Sequence, residues 1–463
     1  MLARFQSDPT SAGAADAASY VQTNLVSDVN GLAKATDPNL VNPWGVSFRN
    51  GSPFWISDQG SNSATLYSVD GSTGTDVNNP VPVFTVHIPT TLTGPQGPTG
   101  QVSNTNDSSF KLTDPLSDQK TASFIFADLN GEISAWNPSL GTDGSTASVE
   151  VTTPGAVYTG LAVNEAHTML YAANDQAGTI DVFNSMFAPV NLGDHAFRTP
   201  GEIAARGLVP FNATDIGGEV YVTYAPSGRA AQTTADEGDG AVAIFSESGK
   251  LEPHGVLLGG PHTPLAAPWG VAIAPDNFGQ FSDDLLVGNF SFQHSEINAF
   301  DPQTHKLVGT IPISAGSGQT PGGLWTLTFG GGGRDGSPNT LYFTDGIDGE
   351  AHGLFGAITS SAAKTIAVTD PPASGASGPP TNTRGLSDLI SQFVSNDTIG
   401  APDQLSGGRV ASLTHTSGPL PDIAALTEHF MGAPFVSGGA LGLLPSSLTT
   451  AEEHRALLAF PHG

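Results

Sequence analysis

The chain has 463 residues, with 43 acidic against 15 basic side chains for a formal net charge of −28, and no cysteine. A field of that sign repels nucleic acid and anionic lipid, so neither is expected as a partner. The missing thiols exclude disulfides, thiolate metal sites and cysteine nucleophiles.

Only 13% of residues are charged, and much of the acidity serves to keep a Ser/Thr/Gly-rich surface soluble. Fifty-seven glycines and 35 prolines point to many turns and short strands rather than long helices. No apolar run reaches the ~18 residues of a transmembrane helix, so no span is expected.

Residues 1–18 are small and polar and are expected to be disordered. They lack a basic n-region joined to an apolar h-region, so an intact signal peptide is not expected there. Residues 19–29 (SYVQTNLVSDV) alternate apolar and polar as a strand does. A lone strand is not stable, so this one must join a distant sheet.

A unit then recurs. It opens at Pro43-Trp44-Gly45, Pro98-Thr99-Gly100, Tyr158-Thr159-Gly160, Val209-Pro210-Phe211, Pro268-Trp269-Gly270 and Gly322-Gly323-Leu324. The intervals are roughly 50 to 60 residues, in the range of propeller-blade repeats. Each opening is followed by a second strand: FWISD (54–58), SFIFAD (123–128), MLYAAND (169–175), EVYVTYA (219–225), LLVGNF (285–290) and TLYFTDG (340–346). A third follows in turn: ATLYSV (64–69), GEISAW (131–136), TIDVF (179–183), AVAIF (241–245), EINAF (296–300) and GLFGAI (353–358).

This pattern predicts an all-β fold, a six-bladed β-propeller over residues 19–365. The last unit supplies only three strands. The strand at 19–29 is its natural fourth, closing the ring and removing two exposed edges. Residues 366–463 form an irregular, partly helical C-terminal extension. It comprises a Pro/Gly/Ser-rich linker at 369–383, partial helical spacing at 386–394 and 420–430, and a capping box at Thr450 and Glu453.

The units resemble a family of secreted bacterial β-propellers known mainly from genome sequences, some of which carry a PEP-CTERM-type sorting tail. The likeness rests on NPWGV (42–46), PTG (98–100), GLAV (160–163), YAAN (171–174) with IDVF (180–183), and PFN (210–212). It continues through APWGVAIAP (267–275), VGNF (287–290) with INAFDP (297–302), GGLWTLTFG (322–330) and HGLFGAI (352–358). The resemblance covers residues 20–360 and implies fold and an extracytoplasmic location, with no activity attached. Family members tend to have Gly-Asp after VGNF, where this chain has Ser291-Phe292-Gln293-His294. More distantly the layout resembles NHL-repeat propellers and the gluconolactonase and paraoxonase group, which bind calcium in the central channel.

In a propeller the innermost strand starts at the same end as the loop between the second and third strands. Asn42 and Trp44 are therefore expected beside Asp58 at one mouth, together with Asn174, Asp175, Asn289 and Asp345. Asp128 and Asn130 are expected there too. Such a ring of oxygen donors suits Ca²⁺ or another divalent cation. The competing reading is that Asp and Asn occupy tight turns by bonding the local backbone.

The segment from Asp345 to His352 places three carboxylates and an imidazole within eight residues. With His294, it offers His352 and Glu350 for proton transfer. Trp44, Trp269 and Trp325 occupy equivalent positions, either as core wedges between blades or as a stacking surface for a ligand. No Gly-x-Ser-x-Gly elbow, HExxH pair or phosphate loop is present in the propeller.

Two functions follow. One is a metal-assisted hydrolase of small esters or lactones at the channel mouth, with a cation polarising the carbonyl. The other is a non-catalytic propeller that binds a small-molecule ligand or a protein. A third possibility, a pure scaffold, has the C-terminal tail filling or covering the mouth.

Overall fold

The computed structural model describes residues 20–361, apart from 118 and 259. Those residues form six sheets, antiparallel but for two short edge pairings, the blades of a β-propeller. Blade 1 comprises Pro43–Ser47, Phe54–Asp58, Ser63–Tyr67 and Thr85–His87, and blade 2 comprises Pro98–Ser103, Phe124–Asp128, Glu132–Trp136 and Ser148–Thr152. Blade 3 has three strands, Tyr158–Val163, Met169–Asn174 and Thr179–Asn184. Blade 4 runs through Leu208–Ile216, Glu219–Pro226, Ala241–Ser246 and Leu251–Leu258. Blade 5 runs through Pro268–Ile273, Leu285–Asn289, Glu296–Phe300 and Leu307–Pro312. Blade 6 contains Gly323–Phe329, Thr340–Gly346 and Leu354–Ser360, and its outer strand is Tyr20–Ser27 from the N-terminal end.

The expected ring closure is observed: Tyr20 pairs with Ser360 and Ser27 with Leu354 in an antiparallel ladder. Ser27 Oγ also donates to the Gly353 carbonyl. The disordered stub expected at 1–18 and the linker and helices expected beyond 365 lie outside the described residues.

Why the blades stack is legible in the alternation. Each strand sends one face to the blade before and the other to the blade after, so a continuous apolar seam forms at every interface. Tyr158, Leu161 and Phe183 of blade 3 meet Ile125 and Ile133 of blade 2, for example. Val222 and Tyr224 of blade 4 meet Tyr171 and Ala173 of blade 3. A separate cluster sits on the axis, made of Trp44, Phe211, Trp269, Phe290 and Trp325.

The innermost strands share a feature that periodicity does not reveal. Every one carries a one-residue bulge just after it opens, between Pro43 and Val46, Pro98 and Gln101, Tyr158 and Gly160, Pro210 and Asn212, Pro268 and Val271, and Leu324 and Leu327. A bulge reverses side-chain parity and re-aims the extra residue. Here it falls at Trp44, Thr99, Thr159, Phe211, Trp269 and Trp325. Glycine at the bulge lets neighbouring blades touch at the axis: a Cβ on Gly100 would collide with the Leu161 backbone, and one on Gly270 with the Trp325 carbonyl.

Candidate functional site: two ends of one channel

Side chains that follow the bulges lace adjacent inner strands together. Thr99 Oγ1 donates to the Tyr158 carbonyl at 2.7 Å, Thr159 Oγ1 to the Phe211 carbonyl at 2.7 Å, and Asn212 Nδ2 to the Trp269 carbonyl at 3.0 Å. Thr326 Oγ1 donates to the Trp44 carbonyl at 2.8 Å and Gln101 Nε2 to the Gly45 carbonyl at 2.9 Å. These bonds satisfy strand carbonyls that have no ladder partner on the channel side.

The three tryptophans do converge, as a packed plug. Trp44 and Trp325 stack at 3.5 Å, and Trp269 meets both edge-on at 6.3 and 5.6 Å. All three are buried. Trp269 Nε1 donates to the Thr159 carbonyl across the channel. Of the two roles open to them in the sequence, the structure places them in the core.

The acidic and amide residues expected at this mouth are spent close to home. Asn42 adopts the left-handed region (φ 45°), accepts from Trp325 Nε1 at 3.1 Å and donates to Gln59 Oε1 at 2.7 Å. Asn174 Oδ1 accepts from Val157 N and Asn289 Oδ1 from Ala266 N. Asp128 does the same for Gly97 N. Asn174, Asn289 and Asp128 thus pin the backbone leading into their own blade's inner strand, which is the turn role, whereas Asn42 joins blade 1 to the Trp325 indole of blade 6.

Asp58 is fully buried and accepts from Thr65 Oγ1 at 2.8 Å, and burial holds its carboxyl well above the usual range. Asp345 is buried with no hydrogen-bond partner on either oxygen, and desolvation alone pushes it up to about 7. Among the described residues, no three His, Asp or Glu side chains come together in a metal-holding group.

The proposed proton-transfer residues are likewise divided. His352 Nδ1 lies 2.6 Å from Asp28 Oδ2, on the turn that follows the closing strand. His294 faces Asp236 at 3.7 Å. Glu350 pairs with an arginine, Arg229, that sequence reasoning did not single out.

Arg229 opens a single helical turn, Arg229–Thr233, in the connection between the second and third strands of blade 4. Its guanidinium lies over three rings of the axial cluster, 4.0 Å from the Phe290 centroid, 4.8 Å from Trp325 and 5.1 Å from Trp44. Glu350 grips it from the side, with Nε to Oε2 at 2.9 Å and Nη2 against Oε1. Asp175 secures the same connection, accepting from Gln232 Nε2 at 2.9 Å and Gly228 N at 3.2 Å. Burial pulls the guanidinium down to about 9 against the attraction of Asp175, so it stays protonated at neutral pH. The expected mouth is therefore filled by the protein's own side chains.

The other end of the channel is open. A cavity of about 280 Å³ is lined by the later halves of all six inner strands, from Ser47, Gln101, Leu161, Asp215 and Val271 to Thr328, with Trp269 at its deep end. Four of the residues that line it carry a buried oxygen without a hydrogen-bond partner: Ser47 Oγ, Gln101 Oε1, Asn212 Oδ1 and Asp215 Oδ2. The amide oxygens are identified by their own NH₂ groups, which donate to strand carbonyls. Burial, with Glu247 and Glu165 nearby, pushes Asp215 up to about 6. His167 stands at the rim in the left-handed region (φ 52°), accepts from Thr105 N at 3.3 Å, and is held below the usual imidazole range by desolvation. Gln101 and Asn212 were visible as polar residues inside otherwise apolar strands. Their direction was not, because the bulge inverts it.

The geometry defines a six-bladed propeller with one channel end plugged by an aromatic cluster and the other open as a polar funnel. No protein-family model matches the chain. It is similar to an uncharacterised protein of Acanthamoeba polyphaga mimivirus, 28% identical over 353 residues that cover 72% of this chain and 78% of the relative. Among solved structures it is similar to a streptogramin B lyase, at 11% identity and a TM-score of 0.42 over 74% of this chain and 98% of that one. A Bacteroides thetaiotaomicron protein of unknown function has 11% identity and a TM-score of 0.44 over 74% and 77% of the two chains. Among the described residues no helix is long and apolar enough to cross a membrane.

Proposed function

We propose that this is a non-catalytic, extracytoplasmic propeller that binds a small, donor-rich molecule, such as an amine or polyol, in the axial funnel. The observation that carries the reading is the set of unpartnered buried oxygens on Ser47, Gln101, Asn212 and Asp215, residues of three blades that line one cavity. Each such acceptor costs about 1–3 kcal/mol when left unmade, and N–H or O–H groups of a ligand would recover that. The acidic surroundings of Asp215 favour a ligand that carries positive charge. The absence of cysteine suits an exported chain. A hydrolase at the opposite mouth would need His352, Glu350 and His294 around one substrate, whereas each engages a different partner.

The experiment is a thermal-shift and calorimetric screen of small amines and polyols, with Ca²⁺ and Mg²⁺ as separate arms. A ligand should raise the Tm of the wild-type protein, and Asp215→Asn and Ser47→Ala should weaken it without changing Trp44 fluorescence. A metal-dependent rise in Tm, lost in Asp58→Ala or Asp345→Ala and accompanied by ester or lactone hydrolysis, would overturn this reading in favour of the hydrolase.

A further inference from the structure

The plugged end of the channel has the chemistry of a cation receptor. Three aromatic rings, Trp44, Phe290 and Trp325, have their centroids within 5.1 Å of one guanidinium, and the Glu350 carboxylate lies against it as well. Aromatic faces attract cations through the ring quadrupole, most strongly when water is excluded. Glu350 accepts one hydrogen bond from Nε with its other oxygen against Nη2, a side-on approach that suits a planar guanidinium better than a point-charge ammonium.

The occupant is attached in an unusual way. The Arg229 side chain as a whole is 34% exposed, yet Nη1 and Nη2 are sealed from solvent. Its stem therefore comes in from outside and only its tip enters the cage. The segment carrying it is bracketed by Gly228 and Gly238, both in the left-handed region at φ 87° and 94°. Besides Arg229 itself, its ties to the ring are Gly228 N and Gln232 to Asp175, Phe292 N to the Thr233 carbonyl, Ser291 Oγ to the Ala235 carbonyl, His294 against Asp236, and Gly238 N to the Leu265 carbonyl at its far end. The helical turn has no side-chain cap at its start. Glu350 sits at φ 71°, a strained conformation for a residue with a side chain, in a turn closed by its N–H on the Gly346 carbonyl.

We propose that this cage is a binding site for a monoalkyl guanidinium, such as an arginine side chain, occupied in cis by Arg229, and that the Gly228–Gly238 strap must swing out to expose it. The proposal does not rest on the funnel reading, since the two sites share neither a charged residue nor an opening. Arg229 acts as an internal competitor. An external guanidinium meets a vacant cage only in the fraction of molecules with the strap displaced, and its apparent affinity is reduced by that fraction.

Arg229→Ala vacates the cage while leaving its walls in place. Methylguanidinium at non-denaturing concentration should raise the Tm of Arg229→Ala saturably and alter its tryptophan fluorescence, with the wild-type protein responding at least about tenfold more weakly. Methylammonium should bind Arg229→Ala less tightly. Adding Glu350→Gln to Arg229→Ala should remove the response, and adding Trp44→Leu should weaken it about tenfold, the loss of one desolvated aromatic partner. Arginine amide and an arginine-containing tripeptide then distinguish a free ligand from a peptide. If Arg229→Ala does not fold alone, recovery of folding with methylguanidinium supports the proposal, and Arg229→Gln replaces it in the titrations. A vacated cage that responds no more than wild type, or equally well with Glu350→Gln, overturns it, as does an Arg229→Gln variant that shows no response. Asp215→Asn should leave every one of these responses unchanged.

Discussion

Trp44 and Trp325 stack at 3.5 Å across the junction between the first and last blades, 281 positions apart in the chain. The Trp44 carbonyl accepts from Thr326 and Thr344 of blade 6, and Asn42 accepts from the Trp325 indole. The ring is thus closed twice, at the rim by the Tyr20–Ser27 strand and at the axis by this stack.

Trp325→Ala should cost about 3–5 kcal/mol, since it opens a cavity at a site where five aromatic side chains and Arg229 converge. Asn42→Ala should cost about 1–2 kcal/mol, from the lost indole bond and from placing alanine in the left-handed region. Urea midpoints at constant m-value measure both. Equal losses for the two variants would mean the stack itself contributes little.

Removing residues 1–27 should leave Leu354–Ser360 as an open, apolar edge beside the buried side chains of Phe355 and Ala357. The expected outcome is loss of the full-length protein's peak in size-exclusion chromatography with soluble aggregates in its place. A product that elutes as the full-length protein does and melts cooperatively would show that the axial contacts close the ring unaided.

Gly100→Ala should be strongly destabilising, because the added methyl meets the Leu161 backbone, which cannot move without parting blades 2 and 3. Gly201→Ala, at the start of the short helix before blade 4, has open space around it and no positive φ. It should change stability by less than about 0.5 kcal/mol. Parallel chemical denaturation separates crowding at the axis from a general intolerance of substitution.

The pH dependence follows from buried carboxyls whose values are raised in the folded state, Asp345 and Asp128 to about 7 and the half-exposed Asp215 to about 6. Such groups favour folding while protonated, so their contribution is present below the unfolded value near 4 and is lost as pH rises toward 7. Each fully buried group contributes a slope of up to about 1.4 kcal/mol per pH unit in that window. Asp345→Asn should flatten the profile and stabilise the protein at pH 8 by an amount on the order of 1–4 kcal/mol. A variant whose stability-against-pH curve parallels that of the wild type would place the Asp345 carboxyl in contact with solvent or a cation.

His352→Ala should lower stability by about 1 kcal/mol or less, since the imidazole is 43% exposed and its Asp28 partner keeps a bond from Gly353 N. Funnel binding, read by calorimetry, should be unchanged. A variant that lost ligand affinity would place His352 in the binding machinery.

Much of the fold was legible in the chain. Six openings, the second strands and the third strands all fall where the repeat puts them, because strand periodicity and Gly/Asp turns are local properties. Even the closing strand was legible, since an isolated alternating segment has to find an edge. Residues 54–58 are predicted and observed as one strand. The third strand of blade 1 differs at its ends, running Ser63–Tyr67 rather than 64–69.

The site was less legible, for a reason that Gln101 and Arg229 make specific. Gln101 lies in a strand whose inward and outward faces are exchanged by the bulge ahead of it, and that bulge depends on how blade 2 meets blades 1 and 3. Arg229 sits in a connection with no periodic pattern, and its importance comes from Glu350, 121 positions away.

By itself, then, the sequence determined the blade repeat, the order of strands, the closure of the ring and the residue types gathered at each mouth, all consequences of local pattern and of the need to pair every edge. Only the tertiary structure decided which way those residues face. The bulges turn three tryptophans and Phe211 into a plug, leave Asn42, Asn174 and Asn289 bonded to nearby groups in their own turns and at blade junctions, seat Arg229 in an aromatic cage, and open the channel at the end opposite to the one the residue types suggested. Side-chain direction at a bulge and pairing across the axis are set by neighbouring blades, and no single blade's sequence encodes them.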